Sequence, residues 1–175
     1  MLNTGRTALA RVAVQYAPHE HRPLQGYATA LAAFGGLAAT LTAAARLSGR
    51  PVPERPALAD VALISIATHK LSRLLAKGAV TSPLRAPLTR YTGPAGAAEL
   101  NEEVRDEGST VRHSLGELIT CPFCLGVWVA TGLTGGLVLA PRLTRFAATA
   151  LTATAVSDFL QLAYDAVKKA PDAAG

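Results

Sequence analysis

Two stretches of this chain carry no Asp, Glu, Lys or Arg over more than 20 residues, Pro23 to Ala45 and Leu118 to Pro141. At 1.5 Å of rise per residue, a helix of either length crosses the ~30 Å hydrocarbon core of a bilayer. Half of the residues are hydrophobic and only 5% are aromatic. That mix is poor for β-sheet, which favours β-branched and aromatic side chains. It suits helices that approach closely through small residues. The competing reading is a soluble bundle with Ala-rich buried helices, and the first run is the weaker span because Ala, Gly and Thr contribute little to insertion. The stronger expectation is an all-α fold, a polytopic membrane bundle of about four transmembrane helices plus a short interfacial helix.

The chain divides accordingly. Residues 1–23 form a polar or interfacial N-terminal arm, with no secretory signal pattern of charged, apolar and cleavage regions in order. Residues 24–167 form the four-helix domain and 168–175 a C-terminal tail. The first span covers Leu24 to Leu47, and the three prolines of "SGRPVPERP" end it. A second helix over Ala57 to Ala76 is apolar in the middle but holds Asp60, His69, Lys70 and Arg73. Next, "VTSPLRAPLTRY" starts a short helix, with Thr81 or Ser82 as cap and Pro83 in the first turn. Leu84, Leu88 and Tyr91 would share its membrane-facing side. Residues 92–113 read as a polar loop whose acids, Glu99, Glu102, Glu103, Asp106 and Glu107, are solvated. "SLGE" (Ser114 to Glu117) fits a capping box that opens the third span, which runs to Ala140. The fourth covers Leu143 to Val167. Gly132 and Gly136, four apart, permit close contact with another helix or another copy of the chain.

Four spans put both termini on one side. With the termini inside, the arm, segment 77–113 and the tail hold ten Lys/Arg, against five in the two opposite loops. The positive-inside rule then makes the termini and segment 77–113 cytoplasmic. The net charge of +5 does not gather into one basic stripe. Anionic lipid is therefore the expected neighbour, and nucleic acid is not.

The polar residues within the spans fall at one depth. His69, Lys70 and Arg73 lie one to two turns before the end of the second helix, Cys121 and Cys124 one to two turns into the third, and Asp158 about two and a half turns before the end of the fourth. Ionisable groups at such depth face the bundle interior and pair with one another. The expected pairs are Asp158 with Lys70 or His69, and Glu117 with Arg73 or Arg112. They either only hold the bundle together or form a polar pocket, open to the cytoplasm, for an anionic headgroup, a metal or a proton. In the headgroup case Lys70, Arg73 and Arg85 bind it while Glu117 and Asp158 balance buried charge.

Cys121 and Cys124 are the only cysteines. Pro122 either kinks a continuous helix or starts a new one capped by Cys121. A thiol at a helix N-terminus has raised thiolate character. Three readings stay open: small packing residues, a metal pair, or a dithiol/disulfide couple. Zinc would need two further ligands, from His69, Asp158, His113 or a second copy of the chain. Cys-Pro-Phe-Cys is similar to the active-site string of glutaredoxins, but the βαβ pattern of that fold is missing. His19 and His21 read as solvated, and Trp128 as a packing or lipid-facing residue.

"ATHKLSRLLAKGAVTSPLRAPLTRYTG", "EVRDEG", "RHSLGELITCPFCLGVWVA" and "VSDFLQLAY" together resemble a bacterial membrane-protein family known as domain of unknown function 1360. The resemblance covers about residues 57 to 166, beyond the arm and first span. It implies a small integral membrane protein of the bacterial inner membrane and brings no activity, substrate or cofactor. The functional expectation is a non-catalytic binding or assembly component with a polar pocket near the cytoplasmic leaflet, contacting lipid and able to oligomerise. The alternative is a membrane-embedded thiol redox or metal-dependent enzyme built on the two cysteines.

Overall fold

The computed structural model describes residues 11–19, 22–105 and 109–169. His21, Asp106, Glu107 and most of the arm and tail lie outside them. After a helical stretch at residues 11–16, helix α1 covers Leu24–Leu47 and α2 covers Leu58–Lys77. A 3-10 turn (Ala79–Thr81) and the one-turn helix α3 (Ser82–Arg85) lead into strands β1 (Thr89–Gly96) and β2 (Glu99–Val104). Helices α4 (Thr110–Thr120), α5 (Pro122–Leu139) and α6 (Pro141–Lys169) complete the order.

The chain is mostly helical, and three helices, α1, α5 and α6, are long and apolar enough to cross a membrane. The fourth expected span, α2, falls short of that composition because Asp60, Lys70 and Arg73 interrupt it. In the three apolar helices only 6%, none and 11% of the most hydrophobic window is buried inside the chain. Apolar helix surface left this open inside the chain is what a bilayer-spanning helix presents. Their threonines fit that setting. Thr29, Thr40, Thr42, Thr131 and Thr149 each donate the side-chain hydroxyl to the carbonyl four residues earlier, at 2.8–2.9 Å. With the hydroxyl paired inside its own helix, the side chain turns chiefly its methyl outward.

Cross-helix contacts give the directions. Arg145 meets Asp60, Thr152 Oγ1 donates to Leu63 O, and Lys70 meets Asp158, so α2 and α6 run parallel. Phe34 packs edge-on against Trp128, with ring centroids 5.4 Å apart, and Leu41 faces Gly135, so α1 and α5 also run parallel. Between these pairs Gly126 faces Thr68 and Ser72 while Leu133 and Leu137 pack against the cluster around Ile64, which sets α5 antiparallel to α2. The small core lies at that junction: Ile64, Ala67 and Ala148, backed by Leu133, Leu137 and Leu151.

The expected polar loop is instead a β-hairpin. β1 and β2 pair antiparallel from Thr89–Val104 to Gly96–Glu99, with irregular register after Tyr91 and after Pro94. Along β2, Leu100, Glu102 and Val104 are partly covered while Asn101 and Glu103 are exposed, the two-residue period of a one-sided strand. Val104 lies so close to α4 that a Cβ on Gly116 would come within 2.6 Å of it. The interfacial helix shrinks to one turn, and Tyr91 belongs to β1.

The helix starts divide in the same way. Ser109, not Ser114, caps α4, accepting from Arg112 N at 3.3 Å. Ser114 is buried mid-helix, where its hydroxyl donates to Pro23 O at 3.5 Å. Gly26 makes that approach possible, because a Cβ there would sit 2.1 Å from Ser114 Oγ and 2.4 Å from Thr110 O. The helix does break at Pro122: Cys121 caps α5 and its Sγ accepts from Cys124 N at 3.2 Å.

Candidate functional site

The last turns of α2 place His69, Lys70 and Arg73 toward the second half of α6 and toward the hairpin tip. The tip is fixed to the end of α2 by a bond from Ala79 N to Ala98 O, 2.9 Å, and by a bridge between Gly78 and Glu99. Ala98 takes a positive φ of 59°, the left-handed conformation that completes the two-residue turn after Gly96. These three pieces enclose a cavity of about 530 Å3, within the usual range for small-molecule sites.

Its polar lining is a set of ion pairs. Lys70 Nζ meets Asp158 Oδ2. Arg73 donates from Nε to Glu99 Oε1 at 2.9 Å and from Nη2 to Glu99 Oε2 at 2.5 Å, a two-point pair. His69 stacks on Phe159 at 5.9 Å with the rings 21° from parallel. Leu74, Val80 and Leu162 supply apolar walls. Four of the residues singled out from sequence, His69, Lys70, Arg73 and Asp158, thus line one cavity. Glu99, read as solvated surface, and Gln161 complete its polar side chains.

Arg85 is elsewhere. It is 1% exposed, and every guanidinium nitrogen is engaged: Nε with Glu102, Nη1 with Leu75 O (2.7 Å) and Thr81 Oγ1 (2.8 Å), and Nη2 with Gly78 O (2.9 Å). The last carbonyls of a helix lack partners within it, and Arg85 satisfies those of α2. A buried, fully paired guanidinium has no face for a headgroup, so the expected headgroup contact at Arg85 is corrected to a structural one. Glu102, also read as solvated, is its buried partner, with only 4% of the side chain exposed. The alternation of Leu100, Glu102 and Val104 was the available signal, hidden because no strand was expected.

Glu117 meets neither Arg73 nor Arg112. Arg112 Nη2 donates to Pro87 O at 2.6 Å. Glu117 Oε1 lies 3.7 Å from His113 Nε2, and Tyr27 also bonds its side chain. Glu117 Oε2 is buried with no partner among the described residues. These contacts hold Glu117 between α4 and α1, outside the cavity lining.

Cys121 and Cys124 bring their sulfurs together as a disulfide-like pair, with Cα atoms 5.3 Å apart, inside the range a disulfide bridges. They do not line the cavity, but the helical rise from Gly126, opposite Ser72, puts them at the same end of the bundle. Among the described residues no group of three or more His, Cys, Asp or Glu is placed to hold a metal ion. Within one chain, the ligands expected for zinc are engaged elsewhere: His69 is stacked on Phe159, Asp158 is held by Lys70, and His113 sits beside Glu117. Of the glycine pair, Gly136 packs against Thr144 of α6, whereas Gly132 faces open space.

Fold and site together define a mostly helical chain with three helices able to cross a membrane and an ion-paired cavity at one end of them. The chain belongs to the family described as Protein of unknown function (DUF1360), whose profile matches residues 63–164. That match contains the ion-paired polar lining, Arg85, Glu102 and both cysteines. The chain is also similar to the sporulation protein YjcA of Bacillus subtilis (strain 168), 32% identical over 71 residues. This stretch is 40% of the present chain and 60% of that relative. No solved structure matches.

Proposed function

We propose that this protein is a non-catalytic binding component of a bacterial inner membrane, with α1, α5 and α6 spanning it and α2 crossing beside them. Its termini and hairpin lie on the cytoplasmic side, and the cavity between α2, α6 and the hairpin tip takes a phospholipid headgroup. The observation that carries this reading is the cavity itself, where charged groups and apolar walls meet at the end of helices whose outer faces need lipid. Lys70 and Arg73 are the headgroup contacts, and Asp158 and Glu99 balance their charge. The three apolar helices support a membrane setting, and the relative supports a bacterial one. The open face at Gly132 and the uncovered apolar surfaces support association between copies of the chain. The test is native mass spectrometry of the full chain released from bacterial membranes in mild detergent. Co-purified phospholipid should fall at least several-fold in a Lys70→Ala/Arg73→Ala variant. Unchanged lipid occupancy in that variant would sink the proposal.

A second reading rests on the meeting of Cys121 and Cys124. In it the pair cycles between dithiol and disulfide, two thiols giving up two protons and two electrons to a partner protein's disulfide, which is reduced to a dithiol. Cys121 is placed for this as the cap of α5, where the Cys124 amide stabilises a thiolate. Differential thiol labelling after equilibration in glutathione buffers tests it. A reversible transition lying within the glutathione range supports the couple, and thiols that stay reduced throughout leave the cysteines as packing residues.

A further inference from the structure

The cavity's charges, resting on the headgroup reading above, specify which headgroup. Beside His69 and Gln161, its lining holds two cations, Lys70 and Arg73, and two carboxylates, Asp158 and Glu99, already joined in pairs. A purely anionic ligand would add an uncompensated charge to a balanced and partly desolvated site, and such charges are costly. A ligand bearing one charge of each sign adds none.

The unused bonding capacity has the same character. Lys70 gives one of its three N–H groups to Asp158, leaving two. Arg73 uses Nε and Nη2 on Glu99, and among the described residues no hydrogen bond involves its Nη1. On the acceptor side only Oδ2 of Asp158 is engaged, and half of that side chain is exposed. The cavity thus offers free donors from Lys70 and Arg73 to an anionic group and a free carboxylate oxygen to a group that can donate. Around them the apolar residues Val80, Phe159 and Leu162 are 82%, 59% and 56% exposed, on the side where α6 runs on as a candidate span. A ligand with an apolar body covers them.

We infer that the cavity binds a zwitterionic phospholipid carrying a primary ammonium, its phosphate on Lys70 and Arg73 and its ammonium on Asp158 Oδ1. A quaternary ammonium has the same charge but no N–H to donate, so the two should differ by one charge-assisted hydrogen bond.

Dioctanoyl phosphatidylethanolamine, phosphatidylcholine and phosphatidylglycerol, titrated against the delipidated full chain in detergent by native mass spectrometry, distinguish the cases. The ethanolamine lipid should bind about tenfold tighter than the choline lipid, the worth of one such bond, and tighter than the glycerol lipid, whose net charge the paired site leaves uncompensated. Asp158→Asn should erase its advantage over the choline lipid. Ala97→Trp, at the exposed hairpin tip and in no ion pair, should weaken every lipid by filling the cavity mouth. Tightest binding of the glycerol lipid, still dependent on Lys70 and Arg73, would overturn the zwitterionic assignment and keep the headgroup reading. Equal binding of all three, unchanged by Ala97→Trp, would overturn both. Free glycerophosphoethanolamine, the soluble phosphodiester, binding as tightly as its lipid would overturn the lipid source in favour of a soluble zwitterion.

Discussion

Arg85 and Lys70 carry the same formal charge and lie in the same part of the fold, yet their surroundings give them different roles. Lys70 keeps 23% of its side chain exposed beside a half-exposed Asp158, so its pair is solvent-softened and open to a ligand. Arg85 and Glu102 are 1% and 4% exposed, and the guanidinium also holds the carbonyls of Leu75 and Gly78. Removing one member of a buried pair strands the other charge at a cost of about 3–5 kcal/mol, whereas replacing both with apolar residues is far milder. Arg85→Met should therefore lower stability by about that much, and Arg85→Met/Glu102→Met should recover much of the loss. Denaturant unfolding in detergent, followed by circular dichroism, reads both. An Arg85→Met protein that unfolds like the parent but loses lipid would return Arg85 to the headgroup site.

Elements were legible in the sequence where one physical signal dominated. The charge-free runs gave α1 and α5, because nothing but helix length and apolar composition was needed to see them. Pro122 narrowed the junction of α4 and α5 to a kink or a break, and the break is what forms, with the residue that lacks an N–H in the first turn of α5. Depth alone grouped His69, Lys70, Arg73 and Asp158, which line the cavity, with Cys121 and Cys124, which do not. What stayed hidden depends on contacts between distant segments. "TGPAGAAE" reads as a loop, and it is a hairpin because the end of α2 pairs with its tip and Gly116 admits Val104. Without that hairpin Glu99 and Glu102 have no reason to face inward. The cap of α4 was misplaced by five residues for a similar reason: Ser114 matches a capping pattern but is drawn inward by the backbone of Pro23. Cap propensity is local, and tertiary contact overrides it.

At the scale of the whole molecule, two charge pairs bracket the bundle. Asp60 and Arg145 join α2 to α6 at one end, Lys70 and Asp158 at the other. Arg145 and Asp158 are thirteen residues apart on one continuous helix, about 20 Å along the axis, less than the ~30 Å hydrocarbon core. If α2 crosses alongside α6, at least one pair enters the slab or the bilayer thins around it. Pairing between helices makes that depth tolerable, because each charge faces its partner and not lipid. The composition of α2 alone argues against a span, and its parallel run beside α6 argues for one. The two differ in where the connection after α1 emerges. In a Cys121→Ser/Cys124→Ser background, Val52→Cys sits in that connection and Ala97→Cys at the hairpin tip. Four crossings put them on opposite sides: in intact cells a membrane-impermeant maleimide should label Val52→Cys, and Ala97→Cys only after permeabilisation. Equal labelling of both before permeabilisation would mean that α2 does not cross, leaving the Lys70–Asp158 pair at the same surface as the α1–α2 connection and the cavity outside the cytoplasmic leaflet.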